Sequence, residues 1–144
     1  MILVDTSVWI DHFHHSDPVL VSLLHEDEIG SHPLVAEELA MGSLRARNDV
    51  LKHLAHLRQF PVLSHDELLT LVAAHALWGR DLSPVDAHLV GSVLLVPGAR
   101  LRTWDKRLYR AGRNWRSPKS KTPPTYTLMG PLLGLPALLR CHEN

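Results

Sequence analysis

Ile2, Leu3 and Val4 form a short apolar run that ends on a carboxylate, Asp5, followed by Thr6-Ser7. A run this short and uninterrupted predicts a buried strand. The hydroxyl pair after it predicts a helix start, because small hydroxyl side chains satisfy free backbone N–H groups. Helical spacing follows over residues 8–13, and Asp17-Pro18 opens a second helix through Val19, Leu20, Leu23 and Leu24. Residues 28–32 read as a second strand, and Pro33 opens a helix towards Gly42. Residues 48–60 read as an amphipathic helix stopped by Pro61, with a third strand at 61–63. Ser64 and Glu67 form a capping box ahead of an apolar helix to about Trp78. Ser83-Pro84 starts a helix ending near Pro97-Gly98, and residues 99–103 read as a fourth strand interrupted by two arginines. Short strands alternating with longer helices predict an α/β domain with a mostly parallel sheet. The chain shows no internal repeat.

The last thirty residues break this rhythm. They hold five of the chain's ten prolines and the apolar stretch LMGPLLGLPALL, with residues 125–129 as a candidate fifth strand. The expected division is a main body over residues 1–112 and an atypical Pro-rich, basic and apolar segment over 113–144 that can complete the sheet edge.

Composition narrows the class. A chain of 144 residues with 45% apolar content suits one globular domain with its own core. The single cysteine, Cys141, has no disulfide partner, which fits a reducing cytoplasm. No apolar run approaches the roughly 20 residues of a membrane-spanning helix. The net charge of zero hides an asymmetry: residues 1–105 carry 7 Lys and Arg against 14 Asp and Glu, and residues 106–144 carry 8 against 1. A basic end on an acidic body suits phosphate, an acidic partner or a sister subunit, and a plain solvated tail explains it equally well.

Four acids carry the candidate chemistry. Asp5 and Asp105 each close a candidate strand. At 100° per residue Glu38 falls among Leu34, Val35, Leu39 and Met41 on the apolar face of its helix, where an acid is costly unless paired. Asp86 lies on the face shared by Val85, Leu89, Val90, Val93 and Val96. A simpler account exists for two of them: Asp5 caps the next helix, and Ser83-x-x-Asp86 is a capping-box variant. In a parallel sheet, however, the strand ends face one side, so all four can converge. Convergent carboxylates repel and need a cation to stay ionised together, and all-oxygen ligation suits Mg²⁺ or Mn²⁺. That donor set points to phosphodiester hydrolysis.

These same stretches, LVDTSVWID, VAEELAMG, SPVDAHLVGSVLL and RTWDKRL, resemble the PIN-domain ribonucleases, and among them the VapC toxins of bacterial type II toxin–antitoxin pairs. The resemblance covers about residues 1–110 with all four acids in the family's order. It implies a three-layer α/β/α sandwich around a mostly parallel sheet. It also implies a Mg²⁺ site, open to Mn²⁺, built from Asp5, Asp86 and Asp105 with Glu38 completing it. Ser7 stands at the family's Ser/Thr position near the metal, and Thr103 precedes the last acid at the T-x-D spacing. The implied activity is endonucleolytic RNA cleavage, with a VapB-type antitoxin as partner and the toxin commonly a homodimer. The segment from Asn114 onward departs from the family's usual ending.

Other signals weigh less. The histidines, including the cluster His12, His14 and His15 and the pair His53 and His56, lack matching ligands and read as surface residues. Arg110, Arg113, Arg116, Lys119 and Lys121 surround Trp115, a pattern suited to single-stranded RNA or to a solvated tail. Two alternatives remain. A non-catalytic PIN-fold module would bind RNA or a partner without needing repelling acids. A phosphatase with an Asp nucleophile wants D-x-D, but Ser7 fills the third position.

Overall fold

The structure, a computed structural model, describes residues 1–113 and 126–129, with side chains for residues 1–111. The described elements run β1 (Ile2–Val4), α1 (Thr6–His14), α2 (Pro18–His25), β2 (Ile29–Ser31), α3 (Pro33–Met41) and α4 (Arg47–His56). They continue with β3 (Arg58–Gln59), α5 (His65–Ala74), α6 (Pro84–Leu95), β4 (Arg100–Thr103), α7 (Lys106–Arg113) and β5 (Tyr126–Met129). The five strands form one sheet in the order β3-β2-β1-β4-β5.

Register places Ile2 opposite both Ile29 of β2 and Arg100 of β4, and Gly30 opposite Arg58 of β3; all three pairings are parallel. β5 closes the β4 edge antiparallel, with Thr103 opposite Tyr126. It falls where the sequence offers a fifth strand. The chain moves one way across the sheet from β1 to β3 and the other way from β3 to β4. Right-handed crossovers therefore put α1 to α4 on one face and α5 and α6 on the other, giving the three-layer α/β/α sandwich. The direction changes between β1 and β4, and in open parallel sheets the crevice beyond the strand ends at that switch point is where ligands bind. Asp5 follows β1 and Asp105 follows β4, so both acids border this crevice.

The core is continuous from the sheet into the helices: Leu3, Val4, Ile29 and Leu101 meet Val8, Leu20, Val35, Leu39, Leu89 and Leu108, all buried. Local chemistry sets several boundaries. Ser64 and Glu67 make the expected reciprocal capping box, and Ser83 and Asp86 make another. Three expectations are corrected. α4 ends at His56, and the third strand is residues 58–59, ahead of Pro61; it is two exposed polar residues on an edge, with no apolar pattern to reveal it. α5 stops at Ala74 because Ala76 turns left-handed, with φ 47°. The apolar face of α3 is narrower than its wheel suggests: Val35 and Leu39 are buried, Leu34 is half-buried, and Met41 is exposed. No described helix is long and apolar enough to cross a membrane.

Candidate active site

Asp5 occupies the N-cap position of α1, yet its side chain makes no capping hydrogen bond. Its backbone carbonyl accepts the N–H groups of Val8 and Trp9 at 3.1 and 3.2 Å, and its own N–H donates to the Arg102 carbonyl at 2.9 Å. The carboxylate is held elsewhere. Ser7 Oγ and Thr103 Oγ1 both donate to Oδ2, at 2.6 and 2.7 Å, one from α1 and one from β4. Oδ1 accepts nothing among the described residues. The residue is 7% exposed, and its Oδ1 is left without a partner among those residues at the strand end. The two hydroxyls orient the carboxylate away from the helix amides, which capping alone does not require.

Thr103 joins two acids. Its hydroxyl donates to Asp5 and accepts the Asp105 N–H at 2.9 Å. Ser7 Oγ also accepts the Trp104 N–H, at 3.3 Å, which ties the start of α1 to the end of β4. Asp105 in turn starts α7, accepting the Arg107 N–H at 2.7 Å as N-cap residues do. The Arg107 guanidinium grips the same carboxylate, Nη2 to Oδ2 at 2.9 Å and Nε to Oδ1 at 3.3 Å. This side-chain contact, helped by the Arg107 and Leu108 N–H groups and opposed by burial, holds the Asp105 carboxyl below the usual carboxylate range.

Asp86 is a capping residue, as the simpler account holds: its Oδ2 accepts the Ser83 N–H at 2.7 Å, and its own N–H donates to Ser83 Oγ at 3.1 Å. No hydrogen bond or ion pair among the described residues links it to Asp5, Glu38 or Asp105; its charge is one of those that raise the Arg107 pKa, after Asp105. Glu38 is not buried, which corrects the wheel-based expectation; it is exposed at the edge of the α3 face. Thr6 reaches it instead, Oγ1 donating to Oε2 at 2.5 Å. Thr6 and Ser7 thus orient Glu38 and Asp5 from adjacent positions.

The donor set is carboxylate and hydroxyl oxygen only, which suits a hard divalent cation. Among the described residues, no three His, Cys, Asp or Glu side chains already stand close enough to hold an ion. Thr103 links Asp5 to Asp105, Arg107 contacts Asp105 alone, and Glu38 and Asp86 are held separately by Thr6 and Ser83. A hard divalent cation would find carboxylate oxygens at Asp5 and at Asp105, the latter now engaged by Arg107.

Of the basic candidates, Arg110 is exposed on α7; the side chain of Arg113, and Trp115, Arg116, Lys119 and Lys121, lie outside the described residues. Sequence reasoning missed three participants. Thr6 directly follows the first acid, and Arg107 stands two residues after the last, spacings that carry their own signal. The third is His32, fully buried against the expectation of surface histidines. It replaces the usual small polar residue before a helix-starting proline, and its Nδ1 accepts the Leu34 N–H at 3.1 Å. Its Nε2 pairs with Ser92 Oγ at 3.0 Å.

Comparison with known proteins adds an independent line. The family model described as PIN domain matches residues 2–114. Two curated relatives share the name Ribonuclease VapC32, from Mycobacterium tuberculosis strains CDC 1551 / Oshkosh and ATCC 25618 / H37Rv. Each is 62% identical over 111 residues, 77% of this chain and 90% of the relative.

Proposed function

The chain belongs to the PIN-domain family, and from that premise we propose that it is a divalent-metal-dependent endoribonuclease and the toxin of a type II toxin–antitoxin pair. The observation that carries the reading is Asp5: at a helix N-cap without capping, fixed through Oδ2 by Ser7 and Thr103, with Oδ1 left for a ligand. The ribonuclease name of the relatives supports the reaction class.

Asp5 and Asp105 would hold the ion, with Asp86 and Glu38 reaching it directly or through water. A bound Mg²⁺ or Mn²⁺ supplies a water of lowered pKa and stabilises charge on the phosphate. The protein's own work is orientation. Thr103 ties the Asp5 carboxylate to the Asp105 backbone, Ser7 holds Asp5, and Thr6 holds Glu38, which would complete the site and position water or a second ion. Asp86 is placed by its cap at the first turn of α6.

The catalytic body is assigned to residues 1–112 and the basic segment after it to contact with RNA. The partners are RNA and a VapB-type antitoxin that blocks the cleft in the cytoplasm. A homodimer would cover exposed apolar side chains of α1 and α2: Ile10, Phe13 and Val19.

The test is cleavage of total RNA by purified, antitoxin-free protein, with Mg²⁺ or Mn²⁺ and with EDTA, beside Asp5→Asn and Asp86→Asn. The expected result is metal-dependent cutting lost in both variants. Equal cutting by all three would point to a contaminant. Normal RNA binding without cutting by the wild type would move the assignment to a binding module.

A further inference from the structure

Arg107 would not itself ligate the ion, yet among the described residues it is the cation in direct contact with one of the four acids. Its guanidinium engages both oxygens of Asp105, and its backbone N–H takes Oδ1 as well. Asp86 and Asp81 add weaker attraction to that of Asp105, and together they raise the Arg107 pKa. Among the described residues, Asp105 is the only one of the four acids in an ion pair, and Arg107 is its partner. The contact is also open to water: the Arg107 side chain is 59% exposed and that of Asp105 24%.

A divalent ion ligated by Asp105 competes with the forked guanidinium for the same two oxygens. The two cations also repel each other, so binding of the ion works against the forked contact. We infer that Arg107 is a positioning residue that holds Asp105 in place before metal binding and is displaced by the ion, so that it sets the metal concentration at which the site fills. The inference rests on the metal-site reading above. It does not follow from that reading, which requires only acids. An exposed ion pair is weak enough to yield to a divalent ion, so its removal should tighten metal binding by only about two- to fivefold. Replacement by lysine keeps the charge and loses the fork.

The experiment is titration of the full chain with Mn²⁺ by calorimetry, comparing wild type with Arg107→Gln, Arg107→Lys and Asp105→Asn. The expected Kd falls about two- to fivefold in Arg107→Gln, with Arg107→Lys in between. The Mn²⁺ concentration giving half-maximal RNA cleavage should fall by the same factor. An unchanged or weaker affinity in Arg107→Gln, with Asp105→Asn still losing binding, overturns the inference alone. Full binding by Asp105→Asn removes the metal-site reading with it. Circular dichroism of each variant at 20 °C establishes that the fold is retained.

Discussion

Asp5 and Asp86 are both acids at the start of a helix, and only one of them caps it. Asp86 spends its carboxylate on the Ser83 N–H, while Asp5 leaves the α1 amides alone and takes two hydroxyls on one oxygen. The sequence allowed both accounts for both residues, because a cap and a ligand require the same side chain at the same place. Only the direction of the carboxylate separates them, and that depends on Thr103, 98 residues away. Thr103→Val should therefore lower cleavage about 10- to 100-fold, as loss of an orienting partner does, with Thr103→Ser near wild type; initial rates on one RNA substrate check this. His32 gives a prediction about pH. Burial, reinforced by His88, lowers its pKa to about 4 against a backbone hydrogen bond at Pro61 that raises it. The unfolded chain then binds the extra proton between pH 6.5 and 4, so stability falls as pH drops through that window, by about 1.4 kcal/mol per unit at most. In His32→Asn, whose amide can still cap α3, the slope contributed by this residue should vanish in urea melts at pH 7, 5.5 and 4.5. An unchanged slope would mean that His32 is not the residue responsible.

At the level of elements, proline, the hydroxyl caps and apolar periodicity located most helices, an uninterrupted apolar run located β1, and the short stretches between helices located β2 and β4. The misses share a cause. β3 is two polar residues whose strand identity comes from pairing Gly30 and Ser31, not from any pattern of its own. The α3 wheel assumed a broad buried stripe, but only Val35 and Leu39 are buried, and Glu38 and Met41 meet solvent. Close approach fixes the β2–β3 edge: a Cβ on Gly30 would lie 2.6 Å from Phe60 Cε2 and 3.0 Å from the Arg58 carbonyl. The aromatic ring is itself buried and the carbonyl belongs to the neighbouring strand, so neither moves without cost. Gly30→Ala should destabilise by about 1–3 kcal/mol, read as a lower urea midpoint with an unchanged slope. A neutral result would show that the edge is loose.

For the whole molecule, the strand order explains why acids far apart in sequence meet. The reversal between β1 and β4 opens one crevice, and the first and last acids of the set close the two strands that border it. The sequence pattern already put an acid at each strand end, but strand order depends on long-range pairing that no local signal encodes. β5 adds a consequence for the basic segment: because it pairs along the whole of β4, removing everything after residue 112 would bare a sheet edge as well as delete positive charge. Charge substitutions within the segment are therefore the cleaner probe of RNA contact. The central claim is that Asp5 and Asp105 share a divalent cation at this crevice, and diffraction from crystals soaked in Mn²⁺ tests it most directly. The account predicts an anomalous peak about 2 Å from carboxylate oxygens of Asp5 and Asp105, with Arg107 turned away from Asp105. No peak in the crevice, or peaks only at histidines such as His14 and His15, would contradict it.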